Sequence, residues 1–147
     1  MKIDILKTES HHKDFQKLVY ELDLYLAEID GEDHSFYAQY NKLDAIKNCI
    51  IIYIDKEPIA CGAYKKYDDQ TIEVKRMFTK EKYRGKQFGR LIVENAVKFI
   101  TDELKEQEIK IGAQKYLEKF YESCGFKTVS DTYDVLGIEH VDMIYKL

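Results

Sequence analysis

Paired cysteines are missing from this sequence. Cys49, Cys61 and Cys124 fall at no spacing that suits a disulfide framework or a metal site. Such usage fits a reducing interior. An excess of positive charge is missing too: 23 basic against 27 acidic residues leave a formal charge of -4, which argues against a general nucleic-acid binder. The opening MKIDILKTESHH carries no apolar run behind its lysine and does not read as a signal peptide. No stretch approaches the ~18 apolar residues that a membrane span needs. Internal repeats, low-complexity tracts and linkers are absent. The expectation is one soluble, cytoplasmic domain over residues 1–147 that engages neither nucleic acid nor membrane.

What is present is core-forming. The 147 residues are 45% hydrophobic and 13% aromatic, and a chain of this size buries roughly two-thirds of its unfolded surface. Residues 2–6 read as a short strand. Ser10 is a candidate N-cap for a helix whose Phe15, Leu18, Val19, Leu22, Leu26 and Ile29 recur every three or four residues until Gly31. Asp33 or Ser35 caps a second expected helix, reaching about Lys47. The continuous apolar run Cys49–Ile54 then predicts a buried strand. Short polar turns separate it from strands at 59–67 and 71–79, and connections this short predict an antiparallel meander. A charged loop leads into a long helix over 88–107, with Phe88, Leu91, Ile92, Ala96, Phe99, Ile100 and Leu104 on one face. A strand at 108–113, a short helix at 114–124 stopped by Gly125, and strands at 126–130 and 141–145 follow. The sum is an α+β, three-layer arrangement: a mixed, mostly antiparallel central sheet flanked by helices.

The most informative stretch is Tyr83-Arg84-Gly85-Lys86-Gln87-Phe88-Gly89-Arg90. A glycine-bearing turn before a helix leaves several N–H groups pointing one way, and the helix dipole favours an anion there. Arg84, Lys86 and Arg90 add cations at a helix start, where cations are unfavourable by ~0.3–1 kcal/mol each unless an anion is bound. A solvated basic turn is the competing reading. No Gly-Lys-Ser/Thr follows, so a P-loop is poorly supported.

This loop resembles the Arg/Gln-x-x-Gly-x-Gly/Ala pyrophosphate loop of the Gcn5-related N-acetyltransferases (GNAT), with Arg84 and Gly89 at its first and last positions. Gln87 stands where that family has its middle glycine, a departure that is unstrained only if its φ is negative. EVKRMFTKEKYRGK resembles the family's fourth strand and loop, and KFYESCGF its closing helix and turn. The beginning ELDLYLAEIDGEDHSFYAQYNKLD and the ending GIEHVDM resemble bacterial members of the family, and the ending resembles its ElaA-like branch. The likeness covers nearly the whole chain, in the right order.

The resemblance implies a GNAT-like acyl-CoA N-acyltransferase fold, with acetyl-CoA as co-substrate, an amine acceptor and no metal. Similar proteins are often homodimers. Backbone groups at Met77, Phe78 and Thr79 would hold the pantetheine arm or thioester. The loop from Arg84, Gly85, Lys86, Gln87, Phe88 and Gly89 to Arg90 would hold the diphosphate, and Gln114 stands where many members have a cofactor-contacting asparagine. Direct transfer needs no covalent nucleophile, so Cys124 reads as packing.

An amine of pKa ~10.4 arrives protonated at neutral pH, so a base is needed. Glu73 sits at the family's offset before Arg84. Strand alternation groups it with Lys75 and Met77, opposite Ile72, Val74 and Phe78. A surface glutamate paired with Lys75 is the alternative. Tyr121 matches the family's general acid for the leaving thiolate; a core tyrosine is its alternative. His34 and His140 are acceptor-side candidates, while His11 and His12 read as exposed residues at a helix start. A non-catalytic acyl-CoA sensor or partner domain is the rival function.

Overall fold

The computed structural model describes residues 2–30, 46–104, 108–135 and 137–146. Strand β1 (Ile3–Thr8) leads to helix α1 (Lys13–Asp30), then to strands β2 (Asn48–Ile54), β3 (Glu57–Lys66) and β4 (Thr71–Thr79). A 3-10 turn at Glu81–Tyr83 precedes α2 (Phe88–Phe99), which widens into a π turn at Ile100–Leu104. Strand β5 (Glu108–Gln114), a 3-10 turn at Lys115–Leu117 and α3 (Glu118–Ser123) follow. Strands β6 (Lys127–Thr128), β7 (Tyr133–Val135) and β8 (Ile138–Lys146) close the chain.

The strands lie in the order β1-β2-β3-β4-β5-β8-β6, with β7 also on β8. Every described pairing is antiparallel except β4 with β5. The β2–β3 hairpin turns at Asp55-Lys56, whose φ values of 47° and 72° fit the primed turn that matches strand twist. Because helices cover both faces, β2 is apolar from Cys49 to Ile54. Ile50 and Ile52 join the α2 residues Phe88, Ile92, Val93 and Ala96, together with Ile72, Val74, Ile109, Ile111, Val141 and Met143. Cys49 and Ile51 join Phe15, Leu18 and Val19 of α1 on the other face, with Cys61 and Ala63. Full burial of each large aliphatic group contributes roughly 1.5–3 kcal/mol. This mixed sheet between helices is the α+β architecture expected.

Three expectations are corrected. Ser10 does not cap α1; it is buried and exchanges two bonds with Ile46, N–H to carbonyl at 2.8 Å and Ile46 N–H to Oγ at 3.0 Å. His12 caps instead, its Nδ1 accepting from Asp14 N–H at 3.1 Å. The expected helix beginning at residues 33–35 lies outside the described residues, apart from Ile46 and Lys47, which are not helical. The strand expected at 126–130 shrinks to Lys127–Thr128, and a hairpin strand, β7, appears that sequence reading missed.

The third correction changes which side chains face which layer. Cys61 pairs with Phe78 and Ala63 with Lys75, so Arg76 and Met77 together oppose Gly62 alone. This is a β-bulge, and Arg76 takes the left-handed φ of 59°. The extra residue flips the alternation. Met77 therefore packs with Ile72 and Val74 on the α2 face, whereas Phe78 packs on the α1 face. Gly62 makes the bulge possible, because a Cβ there would lie 2.6 Å from Met77 Sδ and 2.7 Å from Ile92 Cγ2. Gly62→Ala should destabilise the fold by about 1–3 kcal/mol, the cost typical of overpacking. A urea midpoint unchanged from wild type would show that Met77 and Ile92 move aside freely.

Candidate active site

Strands β4 and β5 pair only at Thr71–Glu73 with Glu108–Lys110. Beyond that point each remains bonded to its outer neighbour, β3 or β8, while their inner edges separate. The gap is the wall of a cavity of about 800 Å³. Unpaired strand edges present main-chain donors and acceptors to whatever fills such a gap. Met77, Phe78 and Thr79 lie on this open stretch of β4, and Ile111, Gly112 and Gln114 on that of β5.

The cavity runs to the start of α2. No side chain caps this helix, and its first bond is Leu91 N–H to Gln87 O. The amides of residues 85–90 find no acceptor in a turn or loop among the described residues. They form a cluster of exposed donors at a positive helix end. Gln87 has φ 72°, not the negative φ that its side chain would prefer. The backbone thus keeps the left-handed shape that a glycine adopts freely, at a cost of roughly 1–2 kcal/mol.

Its side chain is used: Gln87 Oε1 accepts from Arg90 Nε at 3.2 Å. Arg90 also donates to Ser123 O at 3.0 Å and Ser123 Oγ at 2.7 Å, locking α2 to α3. Arg84 donates to Thr79 O at 2.8 Å and lies 4.5 Å over the Tyr25 ring and 5.6 Å over Phe78. Gly85 and Gly89 line the cavity, but the Phe88 side chain is buried in the core and Lys86 stands exposed outside the wall. Any ligand contact from Phe88 or Lys86 would be through the backbone or through charge.

Glu73 and Tyr121 both line the cavity. Glu73 sits at its closed end, in register with Lys110. Burial pulls the Lys110 ammonium down, but the Tyr67 hydroxyl and the Asp142 and Glu73 carboxylates together hold it above its ordinary value. The Tyr121 ring is wedged edge-on against Phe120 and Phe126, at 5.0 and 5.9 Å. Its hydroxyl has no hydrogen-bond partner among the described residues. Burial, with the nearby Cys124, pushes this phenol well above its usual 10.0. Cys124 itself packs half-buried against the core, as expected.

Gln114, His140 and Tyr133 line the side facing α1. His140 lies within β8, not before it, and is 7% exposed. His34 lies outside the described residues. Sequence reading missed Tyr25 and Tyr116, whose hydroxyls meet at 2.8 Å between α1 and the turn after β5. It also missed Arg76, Gly112 and Tyr133; none carries a local signal. No group of three or more His, Cys, Asp or Glu that would hold a metal occurs among the described residues, and no described helix is long and apolar enough to cross a membrane.

Comparison with known proteins agrees with this geometry. The family model described as an acetyltransferase (GNAT) domain matches residues 25–147. The chain is 38% identical over 72 residues to UPF0039 protein sll0451 of Synechocystis, covering 49% of this chain and about half, 47%, of that protein. It is 27% identical over 118 residues to protein ElaA of Escherichia coli, covering 79% and 71% of the two chains. The ElaA crystal structure superposes with a TM-score of 0.77 over 99% of this chain and 100% of that one, at 19% identity. A GNAT family acetyltransferase of Elizabethkingia anophelis with acetyl-CoA bound superposes at 0.68 and 17% identity, covering 99% and 98%.

Proposed function

Since the chain belongs to the GNAT acetyltransferase family, we propose that it moves the acetyl group of acetyl-CoA directly to a primary amine of a small molecule or peptide. The observation that carries this reading is the split between β4 and β5, which opens onto the uncapped start of α2. A thioester with an extended arm and a diphosphate needs such a path: open strand edges for the arm, then free amides at a helix end for the anion.

In this reading the N–H groups near Met77, Phe78 and Thr79 hold the pantetheine arm and the thioester carbonyl. The donors from Gly85 to Arg90 hold the diphosphate. The two reactants meet in the cavity, and alignment supplies much of the rate. Glu73 is the sink for the proton lost by the ammonium, reached directly or through water. The amine attacks the acetyl carbon, the C–S bond breaks, and Tyr121 gives its proton to the departing sulfur. The second proton lost from nitrogen returns to the phenolate through solvent. No covalent enzyme intermediate is required.

The test is release of free CoA thiol across a panel of primary amines, compared with acetyl-CoA alone. Amine-dependent release supports transfer. Tight acetyl-CoA binding with no amine stimulating release would make the protein a non-catalytic acyl-CoA binder instead. Glu73→Gln should lower kcat/KM about 100-fold near neutral pH, within the range for loss of a general base, with partial recovery as alkaline buffer deprotonates the amine. A pH–rate profile identical to wild type would remove Glu73 from proton transfer.

A further inference from the structure

Helix α1 rides on the half of the sheet that ends at β4. Its apolar face, Phe15, Leu18 and Val19, packs against Cys49, Ile51, Cys61 and Ala63 of β2 and β3. Leu22 and Tyr25 continue that stripe at helical spacing, and both line the cavity. Tyr116 belongs to the other half of the sheet, on the 3-10 turn that follows β5. Its neighbour Leu117 packs against the core, whereas Tyr116 lines the cavity and is 58% exposed. The Tyr25 and Tyr116 hydroxyls meet at 2.8 Å, so the two halves that part beyond Glu73 and Lys110 are joined again at this point.

Arg84 carries the link back to β4. Its guanidinium lies 4.5 Å over the Tyr25 ring and 5.6 Å over Phe78, and its Nε donates to Thr79 O at 2.8 Å. Thr79 O faces the split. The next residue, Lys80, sends its N–H to Ile59 O on β3, and successive residues of a strand bond to opposite sides. A chain of contacts therefore runs from Thr79 through Arg84 and Tyr25 to Tyr116, from one lip of the split to the other. It crosses squarely, because Thr79 and Tyr116 stand equally far along the chain from the Glu73–Lys110 pair at which the strands part. That stretch of strand spans about 20 Å. Met77 lies inside it, so a thioester held there has an arm that must pass this crossing to reach the start of α2.

We propose that Tyr25 and Tyr116 are positioning residues, a strap that holds the arm of acetyl-CoA in the split and keeps water from its thioester. The proposal rests on the acetyl-transfer reading. A diphosphate at α2 fixes one end of the cofactor only, and an arm in an open groove keeps much of its freedom. With the hydroxyls joined, the groove is closed over on the α1 side. Water attacking the acetyl carbon in place of the amine would give acetate and free CoA thiol, one proton going to sulfur and one to solvent. Enclosure suppresses that loss. Two phenols suit a strap that must part to admit the arm. Each gives or takes the hydrogen, so the link re-forms in either sense, and a bond exchanged with water is weak enough to open.

Tyr25→Phe, Tyr116→Phe and the double variant test this in the full chain. Each single change removes one hydroxyl and keeps both rings, and Tyr116 is exposed, so the fold is retained. Each should weaken acetyl-CoA binding about fivefold by calorimetry, within the range of one net hydrogen bond. The KM of S-acetylpantetheine, the arm alone, should rise by a like factor. Thiol release without amine should rise about fivefold, while KM for the amine stays within twofold. The double variant should be no worse than either single one, because the first change already breaks the bond. Additive losses make the hydroxyls independent and overturn the strap. So does a rise in KM for the amine in place of that for the arm. Unchanged affinity and thiol release beside a lowered melting temperature would make the bond a tie for α1 and nothing more. Wild type that binds no acetyl-CoA overturns the reading beneath, and the strap with it. Wild type that binds it no more tightly than the three variants overturns the strap alone.

Discussion

Tyr121→Phe lowers kcat about 100-fold while acetyl-CoA affinity changes less than twofold, the lower end of what a positioned general acid contributes. The expectation follows from where the ring and the hydroxyl separately lie. The ring is buried between Phe120 and Phe126, and phenylalanine keeps those contacts. The hydroxyl bonds to no described residue, so its removal leaves no orphaned partner and the melting temperature should hold. Burial holds the phenol neutral well past pH 10, so its proton is available throughout the working range. A wild-type alkaline limb below pH 10 would therefore not come from Tyr121. An unaltered kcat in the phenylalanine variant would make the residue core and nothing more.

Much of the framework was legible because its signals are local. The expected strand over 71–79 is β4 to the residue, since the turn at 68–70 and the β-rich run after it sit next to each other in the chain. The turn before α2 was legible too, as glycines and cations crowded before an apolar stripe. What stayed hidden depends on contacts between distant segments. The left-handed Arg76 has no mark in its own neighbourhood; the room for its bulge comes from Gly62 on β3. That one residue is why period-2 counting misplaced Met77 and Phe78. The exposed three-residue β7 has too little alternation to register, yet it carries Tyr133 to His140. Tyr25 and Tyr116 meet across 91 positions, a distance no spacing rule spans. Conversely, Gln87 was visible as an anomaly, but its sign was not. The fold keeps the glycine-like backbone and charges the strain to the side chain, which Arg90 then engages.

Arg84→Glu together with Lys86→Glu weakens acetyl-CoA binding about 100-fold at low ionic strength, and Lys86→Glu alone accounts for about tenfold of it. Each reversal removes a cation near the α2 start and adds an anion, where a charge-assisted bond contributes ~1.5–3 kcal/mol. The two residues are not equivalent. Arg84 also bonds Thr79 O and covers Tyr25, so its loss disturbs the α1 side of the cavity. Lys86 forms no ion pair among the described residues and stands exposed, so its variant changes charge with little change in packing. Arg90 is a poor choice for this experiment, because three of its bonds hold Gln87 and Ser123. The decisive control is S-acetylpantetheine, which keeps the thioester and arm but has no diphosphate. It should react with wild type and with Lys86→Glu equally, since nothing it carries reaches the α2 start. Screening shapes the salt dependence: the penalty in acetyl-CoA affinity should shrink as the Debye length falls from about 10 Å at 0.1 M towards 3 Å at 1 M. A penalty that persists at high salt, or appears equally with S-acetylpantetheine, would locate the fault in folding of the loop. Unchanged acetyl-CoA affinity in both variants would take the diphosphate away from this turn, and with it the physical reason for placing three cations at the start of a helix.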